Sequence, residues 1–221
     1  MIKCLHRLVL VLLTATVLSL NSAASPAAEV QVNSPEGMEI ISRAEQYLSA
    51  LTTAKFKFNQ SSPIKGLGNL QGEDVSGVFY LSRPGRMRFD YDPPSPITMI
   101  AEGGKLLYID RDLDQVSELP VDTNLLGIFV RSQVRFSGDI VVKAIDQTDE
   151  GVTISLIQAA NPELGEVRLQ FVQRPHFEWL GWTIIDAQLR LTKVKLSQGQ
   201  FGLAINNSIY KFKFKPKTRQ K

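Results

Sequence analysis

The sequence predicts a mainly β domain with some α: one antiparallel sheet curved around a core, with two helices packed on it. Two observations carry this. From Ala54 onward, short runs with a two-residue apolar period recur between turns rich in glycine, proline and aspartate, as half-buried strands do. Only two stretches show helical spacing, too few to separate the strands into parallel β–α–β units. A third observation concerns the faces. Residues 78–81, 106–109 and much of 152–157 are apolar on both sides, where a sheet wet on one face would alternate cleanly. Either helices cover parts of both faces, or the curved sheet encloses an apolar space.

The elements follow in order. Residues 25–33 read as a linker. Ser34 and Pro35 suit an N-cap and the first helical position. Met38, Ile41, Ala44 or Glu45, Leu48 and Leu51 then recur at steps of three and four, which predicts a helix ending near Leu51 with that stripe toward the core. From Ala54 the period becomes two: Phe56 and Phe58 share a face, with Lys55, Lys57 and Asn59 opposite. Beyond a turn-rich stretch, two alternating runs flank Arg83-Pro84-Gly85-Arg86. Proline presets φ there and glycine accepts positive φ, so the pair reads as a hairpin.

Strands are predicted next over residues 97–101, 105–109 and 115–119. Asp122 or Thr123 caps a short helix carrying Leu125, Leu126, Phe129 and Val130. Further strands fall at 140–145, 152–157, 167–172, 183–188 and 189–196, and a last one at 208–215. There Lys211, Lys213 and Lys215 alternate with Phe212 and Phe214, a pattern that discourages edge-to-edge pairing.

The first residues carry a different message. Lys3 and Arg7 precede an apolar run over residues 8–20, and Ser22, Ala24, Ser25 and Ala27 follow it. Basic, apolar and small-residue regions in that order form a secretory signal, with cleavage expected after Ala24 or Ala27. The run is shorter than the ~20 residues that a membrane-spanning helix needs. The chain therefore divides into a signal (1–24), a linker (25–33), one domain (34–216) and a basic tail (217–221). Cys4, the sole cysteine, lies before the apolar run rather than directly after it, so the exported product is not expected to be lipid-modified itself. No disulfide, thiolate nucleophile or cysteine metal site is expected in it.

Charge is unevenly placed. The chain has 25 Lys and Arg against 22 Asp and Glu. Setting aside Lys3, Arg7 and the six basic residues of 211–221 leaves a body with 17 basic and 22 acidic groups. The net positive charge belongs to the ends, which argues against nucleic acid as a partner, because recognition needs a basic footprint on the folded face.

Residue patterns for catalysis are thin. His176 stands alone in a loop after cleavage, and there is no Gly-x-Ser-x-Gly elbow. Gly66, Gly68 and Gly72 lead into a strand rather than a helix and cannot form a phosphate loop. Asp110, Asp112 and Asp114 start like a calcium loop, but Val116 stands where the sharp turn needs glycine, so they read as a solvated hairpin turn. No cofactor or metal is implied, and the expected activity is binding of something apolar, not catalysis. Arg83 admits two readings: an exposed turn residue, or a guanidinium whose five donors reach several carbonyls of a closing segment.

The order of many small motifs is more specific than any one of them. Ala54-x-Phe56-x-Phe58-x-Gln60 is followed by Gly77-x-Phe79-Tyr80-Leu81-x-Arg83-Pro84-Gly85-x-Met87-Arg88-Phe89-x-Tyr91. Then come Pro94, Glu102-Gly103-Gly104-Lys105-Leu106-Leu107-Tyr108, Leu113-x-Gln115, Pro120 and Asn124-Leu125-Leu126. Leu180-Gly181-Trp182, Asp186-Ala187-Gln188, Thr192-x-Val194-x-Leu196 and Ile209-x-x-Phe212-x-Phe214-x-Pro216 complete the succession. In this order the chain resembles the LolA-type periplasmic outer-membrane lipoprotein carriers. Two places depart from the pattern: a single Pro216 stands where the family often has two prolines, and Pro175-His176-Phe177-Glu178-Trp179 is unusually bulky.

The resemblance implies a half-open β-barrel covered by a few helices as a lid, holding lipoprotein acyl chains inside. It implies a monomer of the periplasm that receives acylated lipoproteins from an inner-membrane ABC transporter and passes them to an outer-membrane acceptor. Arg83 takes the place of the arginine that holds the lid closed. The expected cavity lining is Met87, Phe89 and Tyr91, or else the opposite face through Val78 and Tyr80. The alternatives are a carrier of another amphiphile on the same fold, or the outer-membrane acceptor, against which the position of Cys4 argues.

Overall fold

The computed structural model describes residues 27–62, 74–121 and 125–212. The signal segment, the glycines at 66–72, the caps at Asp122 and Thr123, and the tail beyond Phe212 lie outside the described residues.

Among the described residues, twelve strands form one antiparallel sheet: β1 (Ala28–Val30), β2 (Thr53–Ser61), β3 (Val75–Ser82), β4 (Arg86–Tyr91), β5 (Ile97–Glu102), β6 (Lys105–Asp110), β7 (Gln115–Pro120), β8 (Ile140–Gln147), β9 (Gly151–Gln158), β10 (Gly165–Val172), β11 (Glu178–Asp186) and β12 (Leu191–Phe201). Their order is β1-β8-β9-β10-β11-β12-β2-β3-β4-β5-β6-β7. The chain lays down the β2–β7 half and the β8–β12 half as two meanders, then joins them through the β12–β2 pairing. Among the described residues β1 and β7 are the edge strands, and the curved sheet is unclosed.

The α-helix α1 (Pro35–Ala50) lies on the concave side, where Ile40, Ala44 and Leu48 join the core formed by the inward strand residues. Its start is built as the sequence suggests: the Ser34 hydroxyl accepts from the Gly37 amide at 3.0 Å, and Pro35 opens the first turn. The buried stripe is Gly37, Ile40, Ala44 and Leu48, rotated from the expected one, and Met38 is 55% exposed. Gly37 explains the rotation: a Cβ there would meet the carbonyl oxygens of Gln31 and Val32, so the helix seats its glycine face against the incoming chain.

Other elements differ from expectation for local reasons. Residues 28–30, read as linker, pair with β8; three residues are too few to show a period. The short helix expected around Leu125 is a 3-10 helix (Leu125–Val130). β11 and β12 are separated by a turn at 187–190, where Asp186 accepts from the amides of Gln188 and Arg190 and Leu189 takes φ 59°. Residues 207–210, expected to begin a strand, form a 3-10 turn (Asn207–Tyr210), because the Asn206 side chain accepts from the Ser208 amide at 2.9 Å and starts a helical turn.

Candidate functional site

The hairpin of β3 and β4 turns at Arg83-Pro84-Gly85, with Gly85 at φ +80°. Its inward row is Gly77, Phe79 and Leu81 on β3, and Met87 and Phe89 on β4, with Tyr91 following at the half-buried end. Phe79 lies face to face with Phe89 at 4.4 Å between centroids and with Phe56 of β2 at 6.1 Å. Across the concave space, Trp179 and Trp182 of β11 stack at 5.3 Å. Phe129, from the 3-10 segment, sits within 5.0 Å of Trp179 and 4.9 Å of Trp182. The interior is thus filled by rings from the strands and by one ring inserted from the cover. Each such pair contributes about 0.5–1.5 kcal/mol beyond its buried area.

The cover is attached by polar contacts at its rim. Arg83, only 8% exposed, donates from Nε to the Phe129 carbonyl at 2.8 Å and from Nη1 to the Leu48 carbonyl. Its Nη2 has no acceptor among the described residues. Both acceptors lie in the final turns of helical segments, where the dipole favours a cation; the Leu48 carbonyl also accepts from the Leu51 amide at 3.3 Å. α1 has no basic residue in its own last turn, so the hairpin supplies the positive charge from outside. Burial lowers the Arg83 guanidinium to about 10, so it stays charged at neutral pH. The backbone adds two more links: Arg83 N–H to the Thr52 carbonyl and Gly85 N–H to the Val130 carbonyl, each at 2.7 Å. Elsewhere Glu45 of α1 accepts from the Phe136 amide at 2.6 Å, and the Ser49 hydroxyl accepts from the Val134 amide at 2.9 Å.

The bulky stretch before β11 closes the far side. Phe177 stacks on Phe171 at 4.8 Å and meets Tyr47 of α1 at 6.1 Å, and Arg43 lies 4.7 Å above its ring.

Comparison with known proteins fits this architecture. Residues 49–213 match the family described as outer membrane lipoprotein carrier protein LolA. The chain belongs to the LolA family. Among LolA relatives, the outer-membrane lipoprotein carrier protein of Methylococcus capsulatus is 27% identical over 179 residues, covering 77% of this chain and 82% of that protein. The protein of the same description from Ralstonia nicotianae is 35% identical over 89 residues, covering 38% of this chain and 41% of its own. Among solved structures, a LolA superfamily protein from Nitrosomonas europaea superposes with a TM-score of 0.50 at 10% identity, covering 79% of this chain and 97% of that one. That likeness concerns the fold alone.

Within this LolA chain the expected site residues separate by face. Met87 and Phe89 are buried on the concave side, and Tyr91 stands at its edge, donating to the Gln60 amide oxygen at 2.8 Å. Burial pushes the Tyr91 hydroxyl up to about 12. Val78 and Tyr80 point to the convex face, where Tyr80 joins Ile100, Ile109 and Tyr210 in a separate small cluster. Trp179, Trp182 and the Leu48 and Phe129 carbonyls were not singled out from sequence. Trp182 was visible only as part of a motif, and no residue type reports which backbone carbonyl an arginine will reach. The aspartates at 110–114 form a hairpin turn in which Asp110 accepts from the amides of Asp112 and Leu113.

Proposed function

We propose that this protein is an exported, periplasmic carrier that takes lipoprotein acyl chains into the concave interior and moves them from the inner to the outer membrane. The supporting observation is the single guanidinium that ties both covering segments to the β3–β4 hairpin over an interior lined with aromatic side chains. In this reading α1 and the 3-10 segment are the lid, Arg83 is the latch, and Met87, Phe89 and Tyr91 meet the acyl chains once the lid lifts and Phe129 withdraws.

The physics of transfer follows. Each methylene exposed to water costs roughly 0.8 kcal/mol, so an acylated protein does not cross an aqueous gap unaided. Moving its chains from a bilayer into an apolar interior is close to neutral. Breaking the latch contacts and the ring stacking then makes the loaded state the less favourable one for the carrier. Loading therefore needs an energy-coupled donor, an inner-membrane ABC transporter, whereas release needs only an acceptor with a better apolar site. The carrier works as a monomer and performs no covalent chemistry.

The test is to purify the exported protein from the periplasm and extract it with organic solvent, then analyse the extract by thin-layer chromatography and mass spectrometry. Acylated peptides near one per protein are expected. Recovery of free lipid alone would make it a carrier of some other amphiphile.

A further inference from the structure

The convex side of the sheet carries a second cleft, separated from the interior by the sheet itself. Its floor is a cross-strand row in which Gln200 of β12, Lys55 of β2, Tyr80 of β3 and Arg88 of β4 are successive register partners. Its wall is the chain after β12, where Leu203, Ala204, Ile205 and Ile209 cross over that row. The cleft measures about 550 Å³, within the roughly 300–1,000 Å³ usual for small-molecule sites.

The wall is a fixed part of the fold. Tyr210 is 1% exposed against Ile100 and Ile109, with the Arg86 guanidinium 5.8 Å from its ring centroid. Arg88 donates from Nη1 to the Ile209 carbonyl. The cleft is therefore not space left by a loosely laid segment.

Its charges are unequal in a useful way. Arg88 is neutralised by two parallel contacts to Asp90, each 2.7 Å. The Lys55 side chain forms no ion pair or hydrogen bond among the described residues, and its ammonium lies 5.7 Å from the Tyr80 ring centroid. Lys57, next on the same face of β2, is exposed and likewise unpaired among the described residues. The site thus combines one uncompensated cation, a second two residues along the same strand face, a strip of apolar side chains and no unpaired carboxylate. We infer that it binds a single-chain amphiphile with an anionic head, the head on Lys55 and the chain between Tyr80 and the Leu203–Ile209 wall. A cleft this open and this size suits one chain rather than several, so it does not duplicate the interior, and the inference stands independently of the carrier reading.

The test uses dansylaminoundecanoic acid, a fluorescent carboxylate that brightens on burial, titrated into the mature protein. Saturable binding is expected, weakened about five-fold by Lys55→Gln, the size of one partly exposed charge contact. Ala204→Phe, at an exposed position, should fill the cleft and weaken it at least as much. The interior is monitored separately by quenching of Trp179 and Trp182 with a brominated fatty acid, which neither variant should change. Competition by both a fatty acid and lysophosphatidylglycerol, with none by lysophosphatidylcholine, supports an anionic head of either kind; competition by only one of the two identifies the head as carboxylate or phosphate. Unchanged probe affinity in both variants would overturn the inference, as would a loss matched by equal loss of tryptophan quenching.

Discussion

Arg83 and Phe129 stand 46 residues apart in sequence and meet at 2.8 Å, guanidinium Nε to carbonyl oxygen, at the junction where the hairpin touches the cover. The same side chain reaches the Leu48 carbonyl of α1. One residue therefore holds two separate covering segments against the sheet, and Phe129 carries on its other side the ring that contacts both interior tryptophans. In the proposed carrier cycle, latch and plug would move together.

Replacing Arg83 should separate loading from release. Charge-assisted hydrogen bonds contribute about 1.5–3 kcal/mol each, and under the proposed function a loaded carrier would give them up. Arg83→Leu is expected to accept lipoprotein and retain it, with release to an acceptor slowed at least tenfold. Arg83→Lys should fall between, since an ammonium keeps the charge without the planar fork. Labelled cargo followed through each step decides this. Poor loading with normal release would mean that Arg83 contacts cargo or transporter instead.

The aromatic stack should carry much of the stability. Phe79 is fully buried between Phe56 and Phe89, and removing such a ring costs about 3–5 kcal/mol. For a domain of this size, Phe79→Ala should lower the melting temperature by about 10 °C. A shift within about 2 °C, measured by circular dichroism, would show that the stack is not a packed core.

Most of the strand framework was legible because its signal is local. The alternation around Phe56 and Phe58, and the Pro84-Gly85 turn, needed no knowledge of distant residues. Where signals were non-local or weak, legibility ended. Met38 and Ile40 are both spaced for a helical stripe, and the choice between them fell to a close approach at Gly37 that sequence does not display. Both faces of β3 are apolar, for a reason now visible: Phe79 faces the interior, while Tyr80 faces the segment after β12. That arrangement left the lining ambiguous between the two sets of residues. Arg83 stood out by its place in the motif, but its acceptors are backbone atoms, which leave no trace in side-chain identity.

Gly77 offers a steric test of the same inward row. A Cβ there would lie 2.1 Å from the Asp90 carbonyl oxygen and 2.7 Å from the Phe58 ring. Gly77→Ala should therefore force β3 and β4 apart and reduce the yield of folded protein. Comparison with Gly85→Ala, where a Cβ meets nothing but the φ of +80° penalises it, separates close contact from backbone strain. If Gly77→Ala is the milder change, the tight β3–β4 approach is wrong.

Alkaline pH should weaken the fold through two tyrosines. Burial pushes both Tyr91 and Tyr210 up to about 12. Above their ordinary value near 10, the unfolded chain releases protons that the folded chain keeps, so stability falls as pH rises toward 12. It is fully present below pH ~10. Arg83, lowered to about 10, acts in the opposite sense over the same range, so the comparison is made within variants. Urea unfolding of Tyr210→Phe and Tyr91→Phe should show a shallower alkaline decline than the parent protein. Equal slopes would place both hydroxyls in contact with water.

The central claim is that acyl chains enter the concave interior, and site-specific photocrosslinking tests it most directly. A photoreactive phenylalanine analogue is placed singly at Phe89 and Trp182 on the concave side, and at Ser76 and Arg168 on the convex side, away from the second cleft. The carrier is then loaded with a lipoprotein bearing radiolabelled acyl chains. Label is expected on the protein from Phe89 and Trp182, rising further when Arg83→Leu loosens the cover, and absent from Ser76 and Arg168. Label from the convex positions alone would contradict the account.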